Sequence, residues 1–206
     1  MDNFLPEGYQ VPQTQGNYMK LEKGDNKIRV MSSAITGFEY WTTDNKPVRS
    51  AQMFSETPNI KLDMNGKKSI KPFWAFVVWN FDKEKIQILE ITQTGIMNTI
   101  KALVDNPEWG NPNGYNLVIR RTGDGFDTEY SVTPSPHSPV PEKAKSEYER
   151  HTIELTKLYT GEDPFVTSIT PQDQQVREEK DYGVTEPIPG QENNNQDIRV
   201  EDIPFG

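Results

Sequence analysis

Residues 71–81, Lys-Pro-Phe-Trp-Ala-Phe-Val-Val-Trp-Asn-Phe, constrain the fold more than any other stretch of this chain. β-Branched and aromatic side chains dominate, and the polar turn Asp82–Lys85 separates them from a second apolar run, Ile86–Ile91. Such side chains suit a pleated, half-buried surface, so two antiparallel strands are predicted here. Alternate residues of a strand face opposite ways. Phe73, Ala75, Val77, Trp79 and Phe81 therefore share one face, and Trp74, Phe76 and Val78 the other. A small barrel buries one face of each strand, so the second is expected to meet a helix, another subunit or a ligand. Small Ala75 and Val77 suit a barrel interior, which assigns Trp74 and Phe76 to the ligand side.

Further strands are expected at Lys27–Met31, where charged and apolar residues alternate, and at aromatic Gly37–Thr42. Tyr115–Arg121 and Thr128–Val132 are predicted to form a hairpin across Thr122-Gly-Asp-Gly125. One helix interrupts them. Thr92 is a suitable N-cap, Ile96, Ile100, Leu103 and Val104 form one apolar stripe, and Pro107 closes the segment. A second, charged helix is expected over Pro141–Tyr159, with Tyr148, Ile153, Leu155 and Leu158 as its weaker apolar side. Strands, a helix and two more strands follow the order of a five-stranded OB barrel, an order that several other small β-barrels also fit. The fold expectation is mainly β: an OB-like barrel with one or two helices.

The net charge of −9 at first argues against a nucleic-acid partner. Its distribution reverses that impression. Residues 1–160 carry 19 Lys/Arg against 20 Asp/Glu, whereas residues 161–206 carry 3 against 11. The acidity belongs to the tail, and positive charge in the body is free to cluster. The tail is rich in Gln, Asn, Pro and Gly, and its apolar residues between Thr167 and Val200 follow no period. Burial there does not offset an ordering cost of roughly 1–2 kcal/mol per residue, so a disordered linker is expected after a body ending near residue 160. The mean hydropathy of −0.79 agrees with such a polar appendage. The first residues lack the basic and apolar blocks of a signal peptide, and no apolar run approaches ~20 residues. An intracellular protein without membrane association is expected.

Catalysis finds little material. The chain has no cysteine, which excludes disulfides, thiolate zinc sites and thiol chemistry. His137 lies in a Pro-rich segment expected to be a loop, His151 lies on the charged helix, and neither has a recognisable partner. Asp82/Glu84 and Asp127/Glu129 read as solvated acids at hairpin turns, and Gly123-Asp-Gly125 as a turn rather than a phosphate loop. No enzyme, metal or cofactor is therefore expected.

Binding of single strands needs flat aromatic faces for bases and cations for phosphates. The body interleaves both. Tyr40 and Trp41 are followed by Lys46 and Arg49; Lys67, Lys68 and Lys71 precede Trp74 and Phe76; Arg29, Arg120 and Arg121 lie on strands. These are the candidate DNA-binding residues. The chain ends on a short apolar hook behind acidic residues, Glu201-Asp202-Ile203-Pro204-Phe205-Gly206. It offers Ile203 and Phe205 to a small pocket, with Pro204 stiffening the hook and Glu201 and Asp202 placed for a basic rim. The competing reading is a protein–protein adaptor or virion assembly factor that uses the aromatic strand as an interface.

The segment Glu201–Phe205 resembles the acidic, Ile-Pro-Phe tip of bacterial single-stranded DNA-binding proteins, except that Gly206 follows the Phe. Residues 17–140 are similar to single-stranded DNA-binding or replication proteins of tailed bacteriophages. The matching stretches are Asn17–Lys20, Gly37–Trp41, Lys46–Arg49, Phe73–Trp79 and Pro134–Pro139. The resemblance implies an OB-fold, binding without sequence preference in DNA replication or recombination, and the cytoplasm of an infected bacterial host. The tip then implies recruitment of replication proteins such as a helicase, primase or polymerase. A homo-oligomer is compatible with all of this.

Overall fold

The computed structural model describes residues 16–166. Its strands are β1 (Tyr18–Met19), β2 (Gly24–Val30), β3 (Ile35–Trp41), β4 (Pro47–Ser50), β5 (Lys71–Asn80), β6 (Lys85–Ile91), β7 (Tyr115–Thr122), β8 (Glu129–His137), β9 (Thr152–Ile153) and β10 (Phe165–Val166). Two α-helices, α1 (Thr94–Asp105) and α2 (Glu142–Glu149), complete the regular structure with short 3-10 turns. Among the described residues, no helix is long and apolar enough to cross a membrane. The segment from residue 167 to Gly206, with its Glu201–Phe205 tip, lies outside the described residues.

The predicted 71–91 hairpin is the centre of the sheet. β5 pairs along its length with β6, from Trp74↔Ile91 to Asn80↔Lys85. Its other edge is shared. β2 takes the C-terminal half, at Ile28↔Asn80 to Val30↔Val78, and β3 the N-terminal half, at Ile35↔Ala75 to Glu39↔Lys71. β7 and β8 extend the sheet beyond β2, β4 pairs with β3, and β1 runs parallel to β6. At Gly37 a Cβ would run into the carbonyl oxygen of Ser50, so the close approach of β3 and β4 requires glycine there.

The barrel is not closed, contrary to the sequence expectation. The path β1-β6-β5-β2-β7-β8 ends on β1 and β8, which do not pair. A closing β8 would need the outer edge of β6, and β1 occupies it. Pro134 and Pro136 also deprive β8 of two backbone donors, which suits an edge strand and explains how the Pro-rich stretch runs on as strand to His137. His137 is therefore not in a loop, nor is it alone. Its ring stacks on Trp109 at 5.8 Å between centroids and meets Tyr115 edge-on at 5.2 Å.

Both faces of β5 are covered by this chain. Phe76 and Val78 pack with Leu89, Leu117 and Ile119 against Ile96, Met97 and Ile100 of α1. Phe73, Ala75, Val77 and Trp79 pack with Ile86 and Ile88 against Ala144 of α2 and against Leu155 and Leu158. Phe76 is thus core, and its assignment to a ligand face is corrected. Burying each such large side chain is worth about 1.5–3 kcal/mol, so this double-sided strand is where the stability concentrates.

The helices differ from expectation at their ends. α1 starts after Gln93 rather than at Thr92, and Val104 of the expected stripe is exposed while Met97 is buried. The expected 141–159 helix stops at Glu149. Thr152–Ile153 instead pairs with Phe165–Val166, so paired structure runs past the expected boundary at residue 160. Leu155 and Leu158, three apart, face the core together from a 3-10 turn.

Candidate nucleic-acid interface

β3 ends on Trp41, and a tight turn joins it to β4. The Thr42 and Lys46 backbones bond across it (2.9 Å), with Asn45 at φ 57°. A second hairpin lies against this end. The Lys61 N–H donates to the Trp41 carbonyl (2.7 Å), and Leu62 bridges to Lys68. Its tip is shaped by Asp63, whose Oδ1 accepts from the backbone N–H groups of Asn65 and Lys67 (2.8 Å each). Such a carboxylate-capped turn is a local preference of Asp and needs no tertiary support.

The result is a shallow cleft of about 220 Å³ lined by Glu39, Trp41, Lys61, Leu62, Asp63, Ser69 and Lys71. Trp41 is 46 % exposed, Leu62 52 % and Met64, at the hairpin tip, 82 %. Lys46, Lys61, Lys67, Lys68 and Lys71 are all exposed. Among the described residues none of these five enters an ion pair, and neither do Lys20, Lys27 and Lys85 elsewhere, whereas Lys23, Lys83, Lys101, Lys143, Lys145 and Lys157 each do. Residues 41–71 carry six Lys/Arg against three Asp/Glu in an otherwise balanced body. Lys61 Nζ donates to Asn45 Oδ1 (2.7 Å) and Lys68 Nζ to Thr57 Oγ1 (3.1 Å), neutral partners that leave the positive charge uncompensated. An exposed indole among such ammonium groups can stack a flat ring and attract a polyanion.

The structure brings Trp41, Lys46, Lys67, Lys68 and Lys71 of the sequence candidates into this region. The others are engaged elsewhere. Arg29 is fully buried, with Nε donating to Asn116 Oδ1 (2.7 Å), Nη1 to the carbonyls of Asn113 and Ser138 (3.2 and 2.8 Å) and Nη2 to Ser138 Oγ (2.7 Å). Tyr40 is buried edge-on to Phe54. Arg49 is held between Glu39 and Glu90. Arg120 forms a two-pronged pair with Asp25 (2.5 and 2.9 Å), which holds the Asp25 carboxyl below its usual range. Arg121 Nη1 donates to the Leu21 carbonyl (3.1 Å), and its Nε is buried without a partner. Trp74 is half-buried on the face of β5 opposite Lys71 and lines a separate apolar groove with Val30, Thr36, Ile100 and Val104.

Lys61, Leu62 and Met64 escaped the sequence reading, as did Phe126, which is 89 % exposed in the turn between β7 and β8. The signal was present at Phe126, a lone aromatic in a Gly- and Asp-rich turn with nothing nearby to cover it.

The acidic pair around Arg49 is unusual. Glu39 Oε2 accepts from Arg49 Nε (2.9 Å) and Glu90 Oε2 from Arg49 Nη2 (2.6 Å), while Glu90 Oε1 is buried without a hydrogen bond. One guanidinium thus serves two carboxylates. Burial pushes the Glu90 carboxyl above its ordinary value; Arg49 works against that rise and Glu39 adds to it.

No family model matches this chain, and no solved structure does. It is similar to a protein of Escherichia phage T5 named "Probable ssDNA-binding protein", with 24 % identity over 143 residues, covering 56 % of this chain and 53 % of that protein. The chain therefore spans about half the length of this curated relative.

Proposed function

We propose that this chain binds single-stranded DNA without sequence preference, as a non-enzymatic accessory of phage DNA replication or recombination in the host cytoplasm. The observation that carries the reading is the set of exposed lysines, Lys46, Lys61, Lys67, Lys68 and Lys71, which enter no ion pair among the described residues and lie on the two turns and the strand start beside the exposed Trp41. The lysines neutralise phosphates and the indole stacks on bases, an interaction worth about 1–3 kcal/mol per base and indifferent to sequence. The phage T5 relative's name supports the same ligand. The strand order supports an OB-like assignment. Taking β2 with β3 as the first strand, β6-β5-β2-β7-β8 with α1 between β6 and β7 is an OB arrangement left open at its seam. In that fold, oligonucleotides lie across strands two and three and contact the loops joining strands 1–2 and 4–5. In this chain β5 and β6 are packed over by α1, α2 and Leu155–Leu158, so the loops are the part proposed to meet DNA. Here those loops carry the Lys61–Lys68 hairpin and Phe126, which we add to the binding surface.

The acidic tail beyond Val166 is proposed to compete with DNA for this surface and to recruit helicase, primase or polymerase through Glu201, Asp202, Ile203, Pro204 and Phe205. The adaptor reading needs a free aromatic face on residues 71–81; α1, α2 and Leu155–Leu158 cover most of both faces, leaving Trp74 half-buried beside the apolar groove. Deleting residues 167–206 keeps the β9–β10 pair and is expected to tighten binding to oligothymidylate at low salt while abolishing partner capture. Tryptophan quenching titrations of both proteins with oligothymidylate measure the change in DNA binding. A truncated chain that binds more weakly would contradict tail competition, and the absence of quenching in both would contradict stacking at Trp41.

A further inference from the structure

We propose that Glu39, itself held by Arg49, positions the Trp41 indole for base stacking, a role that rests on the single-strand reading above. Trp41 is the last residue of β3, with nearly half its surface exposed. A ring at such a place is free to sample rotamers unless something holds it, and fixing it on binding would cost affinity. Here its Nε1–H donates to Glu39 Oε1 at 3.1 Å. The other oxygen of the same carboxylate accepts from Arg49 Nε at 2.9 Å. Arg49 stands directly across from Glu39 in the β3–β4 register. Its second prong reaches Glu90 on β6 at 2.6 Å, and its guanidinium lies over the Phe73 ring at 5.6 Å. The side chains of Glu39 and Arg49 are only 7 % and 10 % exposed. The indole is thereby tied through two buried groups to the middle of the sheet.

Glu39 is otherwise hard to reconcile with the site. A carboxylate lining a cleft with Lys61 and Lys71 repels phosphate, so simple electrostatics predicts tighter DNA binding when it is removed. Positioning predicts the opposite sign. The same geometry makes the substitution tolerable, because Glu39→Ala leaves Arg49 and Glu90 as a balanced pair.

The test uses full-length protein and oligothymidylate at two salt concentrations, with Glu39→Ala, Trp41→Ala and the double variant. Positioning predicts that Glu39→Ala weakens binding about three- to tenfold at both salts with an unchanged salt slope. It predicts no further loss when Glu39→Ala is added to Trp41→Ala, since Glu39 acts only through the ring. In the DNA-free protein, the Trp41 indole N–H resonance, assigned by its loss in Trp41→Ala, is expected to shift and exchange faster in Glu39→Ala. Tighter binding by Glu39→Ala, additive losses in the double variant, or an unmoved indole resonance would each overturn the proposal. A wild-type chain that ignores oligothymidylate overturns the functional reading and the stacking role with it, while the indole resonance separately decides whether Glu39 holds the ring.

Discussion

Replacing Lys61, Lys67, Lys68 and Lys71 together by glutamine is expected to weaken oligothymidylate binding by about two orders of magnitude at about 0.1–0.2 M salt. Each phosphate neutralised on a single strand contributes about 0.7 to the slope of log K against log salt, so removing four contacts makes that slope shallower by about 3. The fold is expected to survive, because all four side chains are exposed and, among the described residues, none is in an ion pair. Titration at several salt concentrations separates this loss from a packing defect, which would lower affinity without changing the slope. The matching control replaces Lys101 and Lys143, which pair with Asp105 and Glu84, and is expected to leave both affinity and slope near wild type.

Arg49→Met acts on the fold. It strips the counter-charge from Glu39 and Glu90 at once, leaving two largely buried carboxylates facing each other. Breaking a buried pair by removing one partner costs about 3–5 kcal/mol, a large part of the roughly 5–15 kcal/mol that holds a domain folded. The pH dependence carries the sign of the mechanism. Burial already raises the Glu90 carboxyl, and Arg49 opposes that rise, so its loss sends the folded-state value higher. The folded protein then keeps protons that the unfolded chain releases. The extra destabilisation is therefore greatest at neutral pH and fades as pH falls toward the ordinary carboxylate value of 4.5. Urea unfolding of wild type and variant across that range measures it. Equal midpoints at neutral pH would show that the buried triad contributes nothing to stability.

The difference between these two outcomes reflects what the sequence could and could not express. β5 and β6 were legible because dense β-branched and aromatic runs flanking a polar turn have few other uses. Alternation also showed correctly which residues of β5 share a face. What it could not show was which face is left uncovered, because α1, α2 and Leu155–Leu158 come from elsewhere in the chain. Phe76 was misassigned for that reason. Arg29 and Arg49 were misread similarly. A guanidinium on a strand looks available until its acceptors are known, and those of Arg29 lie at Asn113, Asn116 and Ser138. The exposure of the lysines was legible, since an ammonium on a long stem is rarely buried without a partner and its position can be anticipated locally. β1 and β4 are too short to leave a period, and the open seam depends on β1 taking the edge of β6. Prolines disguised the end of β8, residues 133–137, as a loop, although its start was legible as strand.

The central claim is tested most directly by fluorescence anisotropy of labelled oligothymidylate and of its duplex with the complementary strand, titrated with the full-length chain and with the chain lacking residues 167–206, at low and physiological salt. The account predicts tight binding to the single strand that weakens as salt rises, with little binding to the duplex. No binding to the single strand at low salt by either protein would contradict it.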